Sequence, residues 1–239
     1  MRSAPGWLAP GRRIYAVGDV HGCAARLDQL HAEIAADLAD RPVPQPQLIH
    51  LGDMIDRGPD SAGVIARLAT GSPLPGVPMV VLRGNHEQMM LDAMGGDPAA
   101  VDHWRGNGGD AALQSWGVKR PKKNPDWPLE LPPQDYAFLR ALPLTHIEDG
   151  YLFVHAGVRP GITLARQSAE DLLWIRRPFL HSTGPLLPEA PRLAAVHGHT
   201  PEPAPSVTDN RIGVDTGAVR GGLLTCAVLE GDQVSFISV

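Results

Sequence analysis

The stretch Leu51-Gly52-Asp53-Met54-Ile55-Asp56-Arg57-Gly58 sets two carboxylates and a guanidinium into a turn that follows an apolar run. It could supply a bridging metal ligand, an orienting carboxylate and a phosphate clamp, or it could be a plain turn before a helix, because Gly-Asp turns followed by Arg are common loop chemistry. Its neighbours decide. Upstream, Arg13 to Val17 is a short apolar run that stops at Gly18-Asp19, and Cys23 to Ala39 then places Ala, Leu and Ile at helical spacing. Prolines between Arg41 and Gln47 cannot continue a helix, and Gln47 to Leu51 is predicted as a buried strand. Downstream, Asp60 or Ser61 is the expected N-cap of a helix through Ala69, and Met79 to Leu82 is a third expected strand, ending at Arg83-Gly84-Asn85-His86-Glu87. Strands alternating with helices, with polar residues gathered just after each strand, predict α/β layering and a site at the carboxyl ends of the strands.

From Gly95 to Pro133 the pattern dissolves into Gly, Pro and Trp, including HWRGNGGDAALQSWG and the basic run KRPKK, and reads as an insertion or cap within one domain spanning 1–239. Pro133 to Leu142 is an expected helix, and Thr145 to Glu148 with Tyr151 to Val154 are expected paired strands joined through Asp149-Gly150. Val154 leads directly into His155-Ala156-Gly157, a helix is expected near Ala169 to Ile175, and Leu193 to Val196 ends at His197-Gly198-His199-Thr200-Pro201. From Ile212 onward the tail reads as strands with Gly-rich turns, and no internal repeat is present.

Composition narrows the class. With 239 residues, 43% hydrophobic and 20% charged, the chain resembles an ordinary soluble globular protein. A net charge of -5 and the lack of an extended Lys/Arg stripe argue against nucleic acid as a partner, since that affinity rests on phosphate neutralisation. Cys23 and Cys226 form no CxxC, so neither a disulfide framework nor a zinc knuckle is suggested, and a reducing compartment fits. MRSAPGWLAPGRR lacks the apolar core of a signal peptide, and no apolar run approaches the roughly 20 residues of a membrane span. The expectation is a cytoplasmic protein without a membrane partner; its oligomeric state is not legible.

Taken in order, Asp19 and His21, Asp53, Asn85, His155 and His199 each fall in a loop just after an apolar run. Singly, each has an ordinary reading: Asp19 and Asp53 could cap turns, Asn85 could cap a helix, and a lone His is commonly a hydrogen-bonded loop residue. Independent turns, however, have no reason to place a metal-ligand type after every successive strand. Carboxylate, amide and imidazole donors suit borderline or harder divalent ions, and the missing thiolates argue against a structural zinc cage. Six ligands accommodate two ions if one carboxylate bridges, and Asp53 is the bridging candidate because it follows the central one of the first three expected strands.

GDVHG at 18–22, GDMIDRG at 52–58, RGNHE at 83–87, HAG at 155–157 and GHTP at 198–201 together resemble the motif series of the phosphoprotein phosphatase family of metallophosphoesterases, especially its compact bacterial and phage-type members. The later IGVDTGAVRGG resembles that family's C-terminal strands. The resemblance implies a four-layer α-β-β-α sandwich with two mixed sheets and a dinuclear site at the strand ends. It implies Asp19, His21 and Asp53 on one ion, and Asp53, Asn85, His155 and His199 on the other, with His197 as the rival of His199 and otherwise a supporting residue. Two ions lower the pKa of a shared water, so hydroxide attacks phosphorus in line and no covalent phosphoenzyme is needed. Arg57 and Arg83 are expected to clamp the phosphoryl oxygens, with Arg176, or its neighbour Arg177, as the third phosphate-binding arginine. His86 resembles the general acid for the leaving oxygen, held in orientation by Asp56.

Several residues have plainer expected roles. Cys23 opens a helix but the metal mechanism has no use for a thiol; KRPKK reads as a solvated loop; Trp104, Trp116 and Trp127 read as packing for the insertion, near enough to the mouth to permit substrate contact. Arg220 stands where the resembled family often has an aromatic residue in the AVxGG turn. The leading expectation is a serine/threonine protein phosphatase acting on phosphorylated protein, with small phosphoesters as artificial substrates. The alternatives are a symmetrical dinucleoside tetraphosphate hydrolase, whose first motif resembles GDIQG rather than GDVHG, and a non-catalytic phosphate-binding regulatory module. Manganese is the expected ion of the active protein, and iron, zinc or cobalt would satisfy the same donors.

Overall fold

The computed structural model of the chain describes residues 2–119 and 126–239; residues 120–123 of the basic KRPKK run lie outside them. Strands β1 (Arg2–Ser3) and β2 (Arg12–Val17) precede helix α1 (Ala24–Asp40), followed by β3 (Gln45–His50), α2 (Ser61–Ala69), β4 (Met79–Val81) and α3 (Asn85–Ala93). Next come α4 (Pro98–Trp104), a π turn at Arg105–Gly109, α5 (Asp110–Ser115), a 3-10 turn at Trp127–Glu130 and α6 (Pro133–Ala141). The remainder is β5 (Thr145–Glu148), β6 (Tyr151–Val154), α7 (Ala169–Trp174), α8 (Arg177–Leu180), β7 (Ala194–His197), β8 (Ser206–Val207), β9 (Arg211–Gly213), β10 (Thr225–Glu230) and β11 (Gln233–Ser238).

The strands form two mixed sheets, one of six in the order β1-β11-β10-β2-β3-β4 and one of five in the order β5-β6-β7-β9-β8. In the first, β2, β3 and β4 run parallel; in the second, β6, β7 and β9 do. Strands buried on both faces read as continuous apolar runs, and β2 shows why. Its Tyr15 and Val17 pack among the helices, beside Leu27, Leu30 and Ile34 of α1 and Val64 and Ile65 of α2. Its Ile14 and Ala16 face the other way, into the layer shared with Tyr151 and Phe153 of β6 and Val196 of β7. On the far side of the second sheet, Leu152 and Val154 pack against Leu172, Ile175 and Phe179. Helices, sheet, sheet and helices make the four layers expected. Each such side chain taken from water contributes on the order of 1.5–3 kcal/mol, so the layering is set by the alternation along these short strands. Among the described residues no helix is long and apolar enough to cross a membrane.

Two local readings sharpen. Asp60, rather than Ser61, caps α2 by accepting the Gly63 N–H at 2.8 Å, while Ser61 Oγ accepts the Asp56 N–H at 3.0 Å. The segment expected to dissolve from Gly95 is instead helical, through α4 and α5 and the π turn between them, where Gly108 has φ 110°. Helices of 7 and 6 residues broken by a glycine joint are too short to display a 3.6-residue period. Trp104, Ala112, Leu113, Trp127 and Leu131 of this segment join the core on the helical side of the first sheet.

Candidate metal centre

The loops after β2, β3, β4, β6 and β7 converge and are stitched to one another by main-chain bonds. Asp53 O accepts the N–H groups of Val20 and His21 at 3.1 and 2.9 Å, and His155 O accepts the Gly198 N–H at 2.9 Å. The approach depends on two glycines. A Cβ on Gly52, which has φ 102°, would strike the Gly84 backbone and the His155 ring, and a Cβ on Gly84 would strike the Asp53 amide and carboxylate. Below them Glu87, wholly buried, accepts four N–H groups: Gly84 at 2.7 Å, Met54 at 2.7 Å, Asp53 at 2.9 Å and Ile55 at 3.2 Å. One carboxylate thus ties the β4 loop to the β3 loop.

Two overlapping donor groups result. One donor atom from each of His21, Asp53 and His86 lies within 4.8 Å of the others, and the same holds for Asp53, His155 and His199, so Asp53 is the shared member. His155 Nδ1 lies 2.9 Å from Leu51 O and His21 Nδ1 lies 2.8 Å from Ile55 O. A carbonyl only accepts, so Nδ1 bears the hydrogen in both rings and Nε2 carries the lone pair. His155 Nε2 then meets Asn85 Oδ1 at 2.9 Å, one acceptor facing another unless the amide turns its nitrogen there, and His199 Nδ1 lies 3.0 Å from the same oxygen. Two acceptors set against each other, His155 Nε2 and Asn85 Oδ1, are what a divalent cation reconciles. The donor set therefore fits metal binding.

Asp19 stands differently from the expected grouping. Both its oxygens accept the His199 N–H, at 3.2 and 3.1 Å, and burial, with the Asp215 carboxylate nearby, raises its pKa. Its place beside His21 and Asp53 in the first donor group is occupied by His86 instead. His199, left-handed at φ 64°, directs its amide onto that carboxylate. His197 lies outside both groups, with Nδ1 at 3.0 Å from Gly198 O, its ring edge-on to Phe179 and Nε2 buried without a hydrogen-bond partner among the described residues.

Strain and charge concentrate at the same residues. Among the described residues six non-glycine residues have positive φ, and five of them are His21, Asp53, Asp56, Arg57 and His199, the sixth being Asp149 in a hairpin turn. Such conformations cost about 1–3 kcal/mol each and persist where the surroundings over-determine them. Burial, with Asp215 and Asp53 nearby, pushes the Asp19 carboxyl well up; burial pushes Asp53 up to about 7; burial and Asp53 push Glu87 up to about 7. Burial also lowers His155 to about 4 and, together with Arg57, His21 to about 3, leaving both rings neutral and able to ligate. Crowded, desolvated carboxylates beside neutral imidazoles again favour a bound cation.

His86 Nδ1 lies 2.6 Å from Asp56 Oδ2, and its Nε2 is 4.0 Å from Asp53 Oδ2. Burial pushes the Asp56 carboxyl well up, while burial followed by His21 and Arg57 pushes the His86 imidazole down. The site opens as a cavity of about 140 Å³ whose lining includes His86, Arg57, Arg176, Trp174, Asn107 and Arg220. Arg57 Nη1 donates to His21 Nε2 at 2.8 Å and Arg176 Nε to His199 Nε2 at 3.2 Å. Arg83, expected at the phosphate, does not line this cavity: its guanidinium donates to Gln88 Oε1 at 2.9 Å and Arg140 O at 2.8 Å, fastening α3 to α6. Arg177 is likewise absent from the lining. Cys23 is half-buried with its thiol pushed up by burial, which suits packing.

Sequence reasoning passed over Glu87, Asp215 and the polar role of Trp104. Gly-x-x-Glu at 84–87 has capping-box spacing, and Asp215 follows an apolar run in IGVDTG as the other acidic candidates do, so both left a signal.

Two mixed sheets packed face to face, with carboxylate, amide and imidazole donors gathered where their strands end, define a metallophosphoesterase. The sequence profile of the calcineurin-like phosphoesterases matches residues 12–226, and the chain belongs to that family. It is 33% identical over 233 residues to serine/threonine-protein phosphatase 1 of Salmonella typhimurium, covering 92% of this chain and 93% of that protein. It is 32% identical over 151 residues to a symmetrical bis(5'-nucleosyl)-tetraphosphatase of Bordetella pertussis, covering 61% of this chain and 43% of that protein. A protein serine/threonine phosphatase structure from Saccharomyces cerevisiae shares the fold, with a TM-score of 0.59 at 17% identity over 96% of this chain and 80% of that one.

Proposed function

We propose that this metallophosphoesterase hydrolyses phosphomonoesters on protein serine or threonine. The observation that carries the reading is the pair of donor groups sharing Asp53, bordered by His86 with Asp56 on one side and by Arg57 and Arg176 around a single cavity. Asp19, His21, Asp53, Asn85, His155 and His199 would hold two divalent ions, which would supply Lewis acidity toward the phosphoryl group and toward the attacking water. Arg57 and Arg176, with planar forks at the cavity wall, bind the phosphoryl oxygens. His86, whose ring lines the cavity, delivers a proton from Nε2 to the leaving oxygen, while Asp56 on Nδ1 fixes the ring. Asp53, buried and in the left-handed region, keeps one oxygen on the His86 N–H at 3.0 Å and so fixes the carboxylate that both donor groups need.

The substrate class is supported by the likeness to serine/threonine-protein phosphatase 1, which runs along 92% of the chain, whereas the likeness to the symmetrical tetraphosphatase stops at 61%. Arg220 supports the second reading, a dinucleoside polyphosphate, because it lines the cavity with no ion-pair or hydrogen-bond partner for its guanidinium among the described residues. Manganese is the first ion to test, since the donors lack thiolate and accept manganese, iron, cobalt or zinc. Both cysteines are free, in keeping with the reducing, cytoplasmic setting proposed. Manganese-loaded protein assayed on a phosphoserine peptide, diadenosine tetraphosphate and 4-nitrophenyl phosphate separates the readings. Preference for the peptide supports the protein phosphatase, preference for the dinucleotide supports the second reading, and tight phosphate binding without turnover of any substrate would leave a binding module.

A further inference from the structure

We propose that Trp104 is a positioning residue for proton delivery: its indole N–H holds the Asp56 carboxylate so that Oδ2 stays aimed at His86 Nδ1. This assignment rests on His86 acting as the general acid. Trp104 lies 48 residues from Asp56 in sequence, is wholly buried, and places Nε1 at 2.9 Å from Oδ2 and 3.1 Å from Oδ1. An indole N–H only donates, so both oxygens must present acceptor lone pairs to it. His86 Nδ1, at 2.6 Å, is the other side-chain partner of that carboxylate among the described residues. A carboxylate gripped from two directions cannot rotate away from the imidazole it orients.

The indole is itself held. Its ring centroid is 5.1 Å from that of Trp127, and a Cβ on Gly109 would strike the ring, so the π turn folds tightly around it. The same turn reaches the next residue, because Gly108 O accepts the Arg57 N–H at 3.2 Å. Asp56 and Arg57 are consecutive left-handed residues, with φ 72° and 66°, and two such neighbours require outside support. The segment 104–109 gives it to both, which couples the partner of the proton donor to the neighbouring phosphate arginine. Trp116 and Trp127 show the plainer role by contrast: Trp116 Nε1 donates to Asp135 of α6 at 2.8 Å, away from the cavity.

Trp104→Phe keeps the ring and its stacking and removes the N–H. On a phosphoserine peptide its kcat should fall roughly 10- to 100-fold with KM within about twofold, and on 4-nitrophenyl phosphate, whose leaving group needs no proton, kcat should stay within about threefold. His86→Asn should show the same split, larger, and the double variant should match His86→Asn alone. In metal-free protein, the indole 1H–15N resonance lost in Trp104→Phe should move in Asp56→Asn. Equal loss on both substrates, additivity in the double variant, or an indole resonance indifferent to Asp56→Asn would each overturn the role of Trp104. A leaving-group split in His86→Asn without one in Trp104→Phe removes only this inference, whereas no split in His86→Asn removes the reading of His86 and this assignment with it.

Discussion

The rim of the cavity built by the first sheet and the rim built by the second hold their side chains in different ways. The loops after β2, β3 and β4 supply Asp19, His21, Asp53, Asn85 and His86 with Asp56 and Arg57, and four of these residues are left-handed; the loops after β6 and β7 supply His155 and His199, of which only His199 is left-handed. The imidazoles differ as well. His155 rests on the Leu51 carbonyl, which leaves Nε2 a bare lone pair, whereas His86 rests on the Asp56 carboxylate, which favours a ring able to give up a proton. In the proposed reaction the second-sheet rim ligates and, through Arg176 after α7, grips phosphate, but takes no part in moving the proton. The first-sheet rim ligates, grips phosphate and handles the proton, and the backbone strain lies where these duties coincide.

The largest effect should come from the rim that has no part in proton transfer. His155→Ala should lower turnover of every substrate alike, by roughly 10³-fold, the several kcal/mol that a lost ion is worth. A split between good and poor leaving groups in that variant would break the comparison. His86→Asn should instead cost roughly 10²-fold on a phosphoserine peptide and little on 4-nitrophenyl phosphate, measured as kcat on each.

A third test lies among the arginines. Arg57→Ala should cost about tenfold in kcat/KM, because it removes a fork at the cavity wall, while Arg83→Ala should stay within about twofold and show instead a lowered melting temperature. The reverse order would return Arg83 to the phosphate. The smallest effect concerns a buried pair on the helical side of the first sheet, His31 on α1 and His50 on β3, whose Nε2 atoms lie 3.3 Å apart. Burial is the main cause lowering His31 to about 4 and His50 well below its ordinary value; Asp28 raises and Arg67 further lowers His31. Between pH 6.5 and about 4 the unfolded His31 binds a proton that the folded one refuses. Stability should therefore fall with falling pH across that window, by about 1 kcal/mol for each unit, and gain nothing from this group above it. Urea midpoints at pH 7 and pH 5 check this, and His31→Gln should flatten the difference.

What could be read from sequence follows physical reach. The layers were legible because β2, β3, β4, β6 and β7 are short apolar runs ending in polar turns, and the donors stand in those turns. Directions within the site were not. Nothing local told that Arg83 leaves its loop toward Arg140 O, that Asp19 turns to the His199 N–H, or that His86 enters the donor group beside His21. The contact of Trp104 with Asp56 joins residues 48 apart through helices too short to announce themselves. Glu87 and Asp215 were within reach, one through capping-box spacing and the other through its place after an apolar run, but Glu87 follows Asn85 and His86, which already filled the roles sought in its motif, and Asp215 lies outside the five motifs.

All of this turns on Asp53 as the carboxylate common to both donor groups. Calorimetric titration of the metal-free protein with Mn2+, repeated on Asp53→Asn, tests that most directly. The wild-type chain should take up two ions, and Asp53→Asn should lose affinity at both sites while its circular dichroism is unchanged. Two ions bound to Asp53→Asn with wild-type affinity would contradict the shared-carboxylate centre.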